Sequence, residues 1–267
     1  MWKNEHTCTM SVHAVVMEPF NPLLSAVMER GMLAGYRFHV PEHFEEDVRT
    51  RFKTTLITCP EGLQPWSTAP QGAVWFLVGD DEHLSKHGHA VRLHFDVNTP
   101  KGPGKGCDIT VHDLLPPPAG SASRSVFEAW MKGEKERKHG GYWCSLHDVA
   151  SAISKALPYL CLTNGSLNIA GRRYWTGEDT YREFMPLVHR SEAGKTGDFT
   201  QHHLSQHHDI PLTAVDIETE DHHPIRPSIS EFHRFLEKHT GEGWRPIMPL
   251  RQSFMLVLAA LTEETSS

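Results

Sequence analysis

A run of prolines and small residues divides the chain close to its middle. Residues 114–123 read LLPPPAGSAS, with three prolines in direct succession. Because proline has no backbone N–H to donate, consecutive prolines cannot continue a β ladder or a helix. The small residues after them are typical of a linker. The sequence therefore predicts two small domains, residues 1–114 and residues 124–267, joined by a linker over residues 115–123.

Two helices are predicted in the first domain. Asn21 stands directly before Pro22, which suits a helix whose capping side chain precedes a proline at the first helical position. A second helix is predicted from Pro41 to about Phe52, because acidic residues fill its first turn and basic residues its last, as the helix dipole favours.

The strands of the first domain are predicted from their apolar patterns. Residues 73–78 (AVWFLV) are continuously apolar, which is typical of a central strand. Residues 90–97 alternate between apolar and polar, and residues 108–111 are predicted to pair with them across the loop of residues 98–106. We therefore expect an α+β fold in which the N-terminal helices cover a mixed or antiparallel sheet.

The second domain is expected to be mainly helical. Asn164-Gly165 lies between two apolar runs, a pattern that predicts a β-hairpin. A helix is predicted to open near Pro227 and to end at Gly241. The apolar run of residues 252–262 predicts a last helix in the core.

Charge, hydropathy and cysteine content exclude several classes of protein. The formal net charge of the 267 residues is −7, so a bulk coat for nucleic acid is not expected, because affinity for phosphate comes from Lys and Arg. No run of about 18 apolar residues predicts a membrane span, and the first residues lack the pattern of a secretory signal. The five cysteines form no C-x-x-C pair, which argues against a zinc ribbon. We expect a cytoplasmic protein with reduced thiols.

Histidines are concentrated in one segment of the second domain. The chain has 20 histidines, and eight of them fall within residues 202–239. Residues 207–212 and 214–219 are each predicted as a short strand, and residues 227–240 as a helix. The predicted order of strand, strand and helix is that of a ββα unit.

Two side chains of this predicted helix are spaced for metal binding. His233 and Glu237 stand four residues apart, so both can reach one divalent ion from the same helix face. Such an ion would stabilise a leaving oxyanion and acidify a water molecule, while a neighbouring imidazole removes the proton of the attacking water. The segment therefore predicts a divalent metal cofactor: zinc, magnesium or manganese.

The same segment resembles a known nuclease family. Residues 207–213 read HHDIPLT and look like the first half of the HNH motif, in the version found in bacterial DNase toxins. The resemblance covers residues 203–239 and implies a ββα-metal site. It implies these roles: His208 as general base, His207 and His233 as metal ligands, and Glu237 where the family often has its last histidine.

Shorter patterns of other phosphodiesterase families also occur. Residues 214–219 (AVDIET) look like the first motif of DEDD 3′–5′ exonucleases. Two H-x-S triplets, at residues 83–85 and 203–205, are similar to those of 2H phosphoesterases. Arg and His are separated by six residues in 182–189 and 226–233, which fits the loose ribonuclease spacing of HEPN domains. These patterns remain alternatives to the metal site.

A basic and aromatic set of residues is a candidate surface for nucleic acid. Residues 101–106 (KGPGKG) carry two lysines among glycines, and residues 172–175 read RRYW. Cationic and aromatic side chains together suit the backbone and the bases of a single strand. The candidate contacts are Lys101, Lys105, Arg172, Arg173 and Trp175.

Two functions therefore stay open at the level of the sequence. The first is metal-dependent hydrolysis of phosphodiester bonds by a nuclease-like site in the histidine-rich ββα unit. The alternative is a non-enzymatic subunit that binds nucleic acid or serves as a scaffold in a nucleoprotein or defence assembly, with protein partners. The order of the predicted elements favours the first, and the acidic net charge favours the second.

Overall fold

The computed structural model describes residues 12–71, 73–78, 90–95, 106–134, 139–197 and 225–264. The strands in these ranges are β1 (His13–Val16), β2 (Arg37–Val40), β3 (Leu63–Pro65), β4 (Val74–Val78), β5 (Ala90–His94), β6 (Gly106–Val111), β7 (Leu114–Leu115), β8 (Cys144–Ser145) and β9 (Gly165–Ile169). The helices are α1 (Pro22–Leu33), α2 (Glu45–Arg51), α3 (Lys53–Thr58), α4 (Ala122–Met131), α5 (Leu146–Leu160), α6 (Gly177–Thr196), α7 (Ser230–Thr240) and α8 (Leu250–Glu264). Short 3-10 turns follow β2 and β3, at Glu42–Phe44 and Trp66–Thr68.

Seven strands form one sheet in which every neighbouring pair is parallel. Their order is β3-β2-β1-β4-β5-β6-β9, and β7 and β8 form a separate parallel pair. The predicted mixed or antiparallel sheet is therefore wrong, and the fold class is α/β. The prediction of a central strand at residues 73–78 is confirmed, because β4 is the fourth of the seven strands.

The error about strand direction has a physical reason in β5. All five residues of β5 are buried, including Arg92 and His94. Alternation of apolar and polar residues usually marks an antiparallel strand with one wet face, whereas parallel strands are buried on both faces. In β5 the polar positions are buried against polar partners on β6, so the alternation does not report contact with water.

The hairpin predicted at Asn164-Gly165 is also wrong. Gly165 has φ +125° and is the first residue of β9. That strand pairs in parallel with β6, whose Cys107 is the partner of Gly165. An Asn-Gly pair therefore starts a parallel edge strand here, where a type I′ turn between antiparallel strands was expected.

The register of the strands gives the sheet one apolar and one polar face. The apolar face is buried and includes Ala14, Phe38, Phe76, Val91, Leu93, Ile109 and Ile169. The polar face presents His13, His39, Arg92, His94, Asp108 and Thr110 at the intervening positions. These two sets are called the apolar face and the polar face below.

Helix α1 packs on the apolar face at a glycine. A Cβ atom placed on Gly31 would lie only 2.5 Å from Cζ of Phe38, so a residue without a side chain permits this close approach. Helices α3 and α5 contact α1, and α7 contacts α5. These four helices therefore form a layer on the apolar side of the sheet.

The chain divides into two compact units. The first comprises residues 1–111, 146–169 and 229–245, and the second comprises residues 112–145, 170–228 and 246–267. All seven strands of the large sheet belong to the first unit. The two domains and the linker expected from the sequence, with boundaries at 114 and 124, stay a prediction.

The second unit has an aromatic core of its own. Phe127, Trp130, Trp143, Phe184 and Phe254 are all buried, and their rings pack at centroid distances between 4.9 and 6.2 Å. Aromatic pairs in tilted and edge arrangements at such distances stabilise a core beyond their burial alone. Helices α4, α6 and α8 supply most of these rings.

The histidine-rich segment is described only in part. Residues 207–212 and 214–219, predicted as the two strands of a ββα unit, lie outside the described residues. Helix α7 confirms the predicted end at Gly241, which has φ +78° and accepts the left-handed conformation that glycine favours. None of the helices in the described ranges has the length and apolar character to cross a membrane.

Candidate functional site

The structure describes two of the four residues that the sequence assigned to a metal site, His233 and Glu237. His207 and His208 lie outside the described residues. Nδ1 of His233 is 3.3 Å from the carbonyl oxygen of Trp244, and Gly243 packs against the same ring. Glu237 lies on the same helix and is exposed. His233 is thus in contact with the backbone that follows α7.

The residues proposed for nucleic-acid contact are brought together only in part. The guanidinium of Arg173 lies 4.5 Å from the ring centroid of Trp175, a cation–π contact within the second unit. Arg172 is exposed beside them. Lys101 and Lys105 lie outside the described residues.

The order of the strands points to a different site. The chain adds β2 and β3 on one side of β1, and then β4, β5, β6 and β9 on the other. In open parallel sheets, ligands bind outside the carboxyl ends of the strands, where the strand order reverses. In this chain that point lies between β1 and β4, next to residues 17–21, which connect β1 to α1.

The turn between β1 and α1 is closed by hydrogen bonds. Oδ1 of Asn21 accepts from the backbone N–H of Leu23 at 3.0 Å and of Leu24 at 3.3 Å. Pro22 has no N–H, and the N–H of Ser25 donates to the carbonyl oxygen of Asn21 at 2.8 Å. The first four positions of α1 therefore offer no free donor, which confirms the predicted start of this helix.

The side chains of this turn add charge and bulk. Residues 17–22 read MEPFNP and contain no glycine. Glu18 is exposed and carries a negative charge near the N-terminus of α1. Phe20 packs edge-on against Phe44 at 5.5 Å, with the guanidinium of Arg51 5.9 Å from its ring centroid. No position in the turn allows the backbone approach that glycine permits.

Three charged or polar side chains meet on the polar face at β5 and β6. Nε of Arg92 donates to Oδ1 of Asp108 at 2.7 Å, and its terminal nitrogen lies 3.3 Å from Oδ2. Nε2 of His94 lies 3.1 Å from the same Oδ1. Arg92, His94 and Asp108 expose only 5%, 4% and 7% of their surface. We call this set the β5–β6 cluster.

The strands explain why these three side chains meet. Arg92 stands opposite Asp108, and His94 stands opposite Thr110 in the parallel register of β5 and β6. Side chains two residues apart on one strand share a face, so Asp108 can reach both of its partners on β5. His94 is the last residue of β5, so the β5–β6 cluster begins at the carboxyl edge of the sheet.

Charge in the β5–β6 cluster is balanced by pairing. Burial by itself would raise the pKa of Asp108, but hydrogen bonds from Arg92 and His94 and their charges outweigh it, so the pKa lies below its ordinary value. Burial, with the charge of Asp108, raises the pKa of the neighbouring Cys107 thiol to about 12. Asp108 is therefore held ionised and Cys107 is held as a thiol.

One atom of the β5–β6 cluster has no partner. Nδ1 of His94 is buried and makes no hydrogen bond to any residue that the structure describes. A buried polar atom left without a partner costs about 1–3 kcal/mol, and such atoms are rare in folded proteins. This unpaired atom therefore lowers the stability of the fold. It belongs to the last residue of β5, at the edge where parallel sheets bind their ligands.

A pair of histidines lies further along the polar face, on β1 and β2. Nδ1 of His13 and Nε2 of His39 are 2.9 Å apart, and the rings stack at a centroid distance of 5.2 Å. Burial, together with the charge of Arg37, lowers the pKa of His13. Burial also lowers the pKa of His39, although its contact with the carbonyl oxygen of Pro65 acts in the opposite direction. Both rings are thus favoured in the neutral form.

Sequence reasoning missed the β5–β6 cluster. It placed residues 90–97 in a strand but gave no role to its charged positions. The signal was present, because Arg92 and His94 alternate within an apolar strand and Asp108 opens the next apolar run. Charged residues inside a fully buried strand require partners, and a parallel register would have brought them together.

Comparison with known proteins gives a fold and no family. No family model matches the chain, and no curated protein matches it. Among solved structures, a UDP-Glc/GlcNAc 4-epimerase from Campylobacter jejuni is 8% identical, with a TM-score of 0.58 over 95% of this chain and 100% of that one. WbmG of Bordetella bronchiseptica, solved with NAD, is 10% identical, with a TM-score of 0.53 over 97% and 96%. Gre2 of Candida albicans, solved with NADPH, is 9% identical, with a TM-score of 0.53 over 94% and 99%.

These likenesses overturn the nuclease interpretation. The matching structures include a UDP-Glc/GlcNAc 4-epimerase, the yeast reductase Gre2 solved with NADPH, and the enzyme WbmG solved with NAD, so the HNH resemblance and the expected nuclease function are wrong. The alternative of a nucleic-acid scaffold finds no support either. The expected divalent metal cofactor is also wrong: within the described ranges, no group of three His, Cys, Asp or Glu side chains is placed to hold an ion.

Two of the matching structures hold a nicotinamide dinucleotide, and the residues of the β1–α1 turn in this chain do not fit one. Dinucleotide-binding sheets place three glycines at the β1–α1 turn, and the pyrophosphate accepts hydrogen bonds from the N-terminus of the helix. Here the turn has no glycine, Asn21 takes the donors, and Glu18 would repel a phosphate. The chain thus shares the doubly wound, Rossmann-type fold of reductases and epimerases, with a turn that is closed to pyrophosphate.

Proposed function

We propose that this chain is a small-molecule-binding protein of the reductase and epimerase fold that works without a dinucleotide at the β1–α1 turn. Its ligand would lie outside the carboxyl ends of β1, β4 and β5, where doubly wound sheets bind their ligands. The observation that carries the proposal is the closed N-terminus of α1, where Asn21 accepts from the N–H groups of Leu23 and Leu24.

Charge narrows the class of ligand. Glu18 is exposed at the turn, and a phosphate or carboxylate there would meet both a negative charge and a helix end without donors. A neutral or cationic polar compound avoids both costs. The proposed ligand is therefore a small polar molecule without a phosphate group. The cytoplasm stays the proposed location, on the sequence alone.

A second candidate is an NAD(P)-dependent reductase or epimerase. One residue favours it: Glu42 is exposed directly after β2, about 20 residues beyond the turn. An acidic residue at this distance hydrogen-bonds the ribose 2′-hydroxyl in NAD-binding sheets. The likeness of the whole chain to reductases and epimerases also favours it. The missing pyrophosphate site argues against it.

Binding measurements separate the two candidates. Isothermal titration of the full chain with NADH, NADPH and ADP-ribose is expected to show no saturable binding at concentrations up to about 1 mM, which corresponds to a free energy weaker than about −4 kcal/mol. Micromolar binding of NADH that is lost in Glu42→Gln and kept in Glu46→Gln would overturn the first candidate and support the second. Glu46 is a matched control, because it is exposed on α2 near Glu42.

A further inference from the structure

The β5–β6 cluster has the arrangement of an oriented base. An ionised carboxylate can only accept hydrogen bonds. Since Nε2 of His94 lies 3.1 Å from Oδ1 of Asp108, the proton of a neutral imidazole belongs on Nε2. The lone pair is then on Nδ1, the buried atom that has no hydrogen-bond partner within the described ranges.

We propose that His94 is a catalytic base that removes a proton from a small carbonyl compound, with Asp108 as the positioning residue that orients its ring. The proposal rests on the ligand site proposed above, and it assigns a reaction to that site. In the step, the substrate's C–H bond breaks and its electron pair stays on carbon. The proton forms a bond with Nδ1 of His94, and the imidazolium that results is balanced by the carboxylate of Asp108.

Arg92 holds the carboxylate of Asp108 in the position that orients His94. Its guanidinium holds both oxygens of Asp108, at 2.7 and 3.3 Å, so the carboxylate is fixed in place and stays ionised. A carboxylate that accepts from one ring nitrogen fixes the tautomer and leaves the other nitrogen as the base, as in catalytic triads. Arg92 therefore acts on Asp108, and Asp108 acts on His94.

The strength of the base sets the class of substrate. An imidazole removes protons from carbon only where a neighbouring carbonyl stabilises the carbanion, and a hydrogen-bond donor near that oxygen assists. Thr110 stands opposite His94 on the same face of the sheet and is only half-buried. Its hydroxyl is a candidate donor to that oxygen. A proton on the carbon next to a carbonyl is thus the chemistry that these residues can serve, and it requires no oxidant or nucleotide.

Solvent exchange tests the step directly. Dihydroxyacetone and hydroxyacetone, two small neutral ketones, are incubated with the full chain in D₂O, and loss of their C–H signals is followed by proton NMR. We expect the wild-type chain to accelerate exchange of at least one probe over buffer, and His94→Gln to reduce the acceleration by about 10²–10⁴-fold, the usual contribution of a general base. His189→Gln, an exposed position on α6, is the matched control and should exchange at the wild-type rate.

The tautomer of His94 gives a second, substrate-free measurement. Long-range ¹H–¹⁵N spectra, with the ring assigned by its loss in His94→Gln, should show a protonated Nε2 and a bare Nδ1. Asp108→Asn should disturb this tautomer and lower the exchange rate together. A proton on Nδ1 in the wild-type chain, exchange no faster than buffer with both probes, or exchange that persists in His94→Gln would each overturn the proposal. Binding of NADH would overturn the proposed function without changing the exchange rate, so the two failures are distinguishable.

Discussion

The substitution Asp108→Asn tests how much the negative charge at the centre of the β5–β6 cluster contributes to the stability of the fold. The change keeps the shape of the side chain and removes the carboxylate that pairs with Arg92, which is only 5% exposed. Removing one partner of a buried ion pair costs about 3–5 kcal/mol, because the other charge is left buried and uncompensated. The amide oxygen can still accept one hydrogen bond from Arg92. We therefore expect the free energy of unfolding to fall by about 3 kcal/mol, the low end of this range.

Thermal unfolding followed by circular dichroism measures this cost. A change of 1 kcal/mol shifts Tm by about 2–4 °C in a chain of this size, so Asp108→Asn should lower Tm by about 6–12 °C. Glu45→Gln is the matched control, since Glu45 forms a surface pair with Arg49 at 2.8 Å. Such an exposed pair is worth about 0.3–0.5 kcal/mol. Replacing both Arg92 and Asp108 by apolar residues of similar volume should restore most of the lost Tm.

The dependence of Tm on pH gives an independent test of the contribution of the Asp108 charge to stability. The pKa of Asp108 is lowered in the folded chain, so its contribution is fully present above the unfolded value of about 3.9 and is lost as pH falls through the lower folded value. The difference in Tm between wild type and Asp108→Asn should therefore shrink below about pH 4. A difference in Tm no larger than that of the Glu45→Gln control, at pH 7, would refute the ion-pair reasoning.

Three further outcomes are expected from contacts elsewhere in the first unit. Asn21→Ala removes the cap of α1 and should cost about 1 kcal/mol in urea unfolding; no change in the midpoint would contradict the cap. Gly31→Ala places a methyl group 2.5 Å from Phe38 and should cost about 1–3 kcal/mol from overpacking, whereas a neutral result would show that the ring can move. Cys161 is exposed while Cys107 is buried with a pKa of about 12, so mass spectrometry after iodoacetamide at pH 8 should find Cys161 alkylated and Cys107 free of label.

Local features of the fold could be predicted from the sequence. Asn21 followed by Pro22 identified the start of α1, and Gly241 identified the end of α7. The apolar run at residues 73–78 identified the central strand. Each of these depends on a few neighbouring residues, because caps and buried strands are set by local chemistry.

Strand direction and the candidate site could not be predicted in the same way. Only residues 95–105 separate β5 from β6, and a short loop with glycines and prolines is typical of a hairpin. Parallel pairing is a contact between distant segments, and no local pattern specifies it. The partners Arg92 and Asp108 are 16 residues apart, so their meeting follows from the register and not from their spacing. The eight histidines of residues 202–239 favoured the prediction of a metal site there, far in sequence from β5 and β6.

Asn21 occupies backbone donors at the start of α1 that a phosphate group would otherwise use. Its Oδ1 takes the N–H groups of Leu23 and Leu24, and these are the groups that a pyrophosphate would use at a helix N-terminus. Cap and phosphate therefore compete for the same donors. If the cap alone excluded the dinucleotide, Asn21→Ala would bind NADPH more tightly than wild type. Because Glu18 and the missing glycines exclude it independently, we expect Asn21→Ala to lose stability and still show no binding.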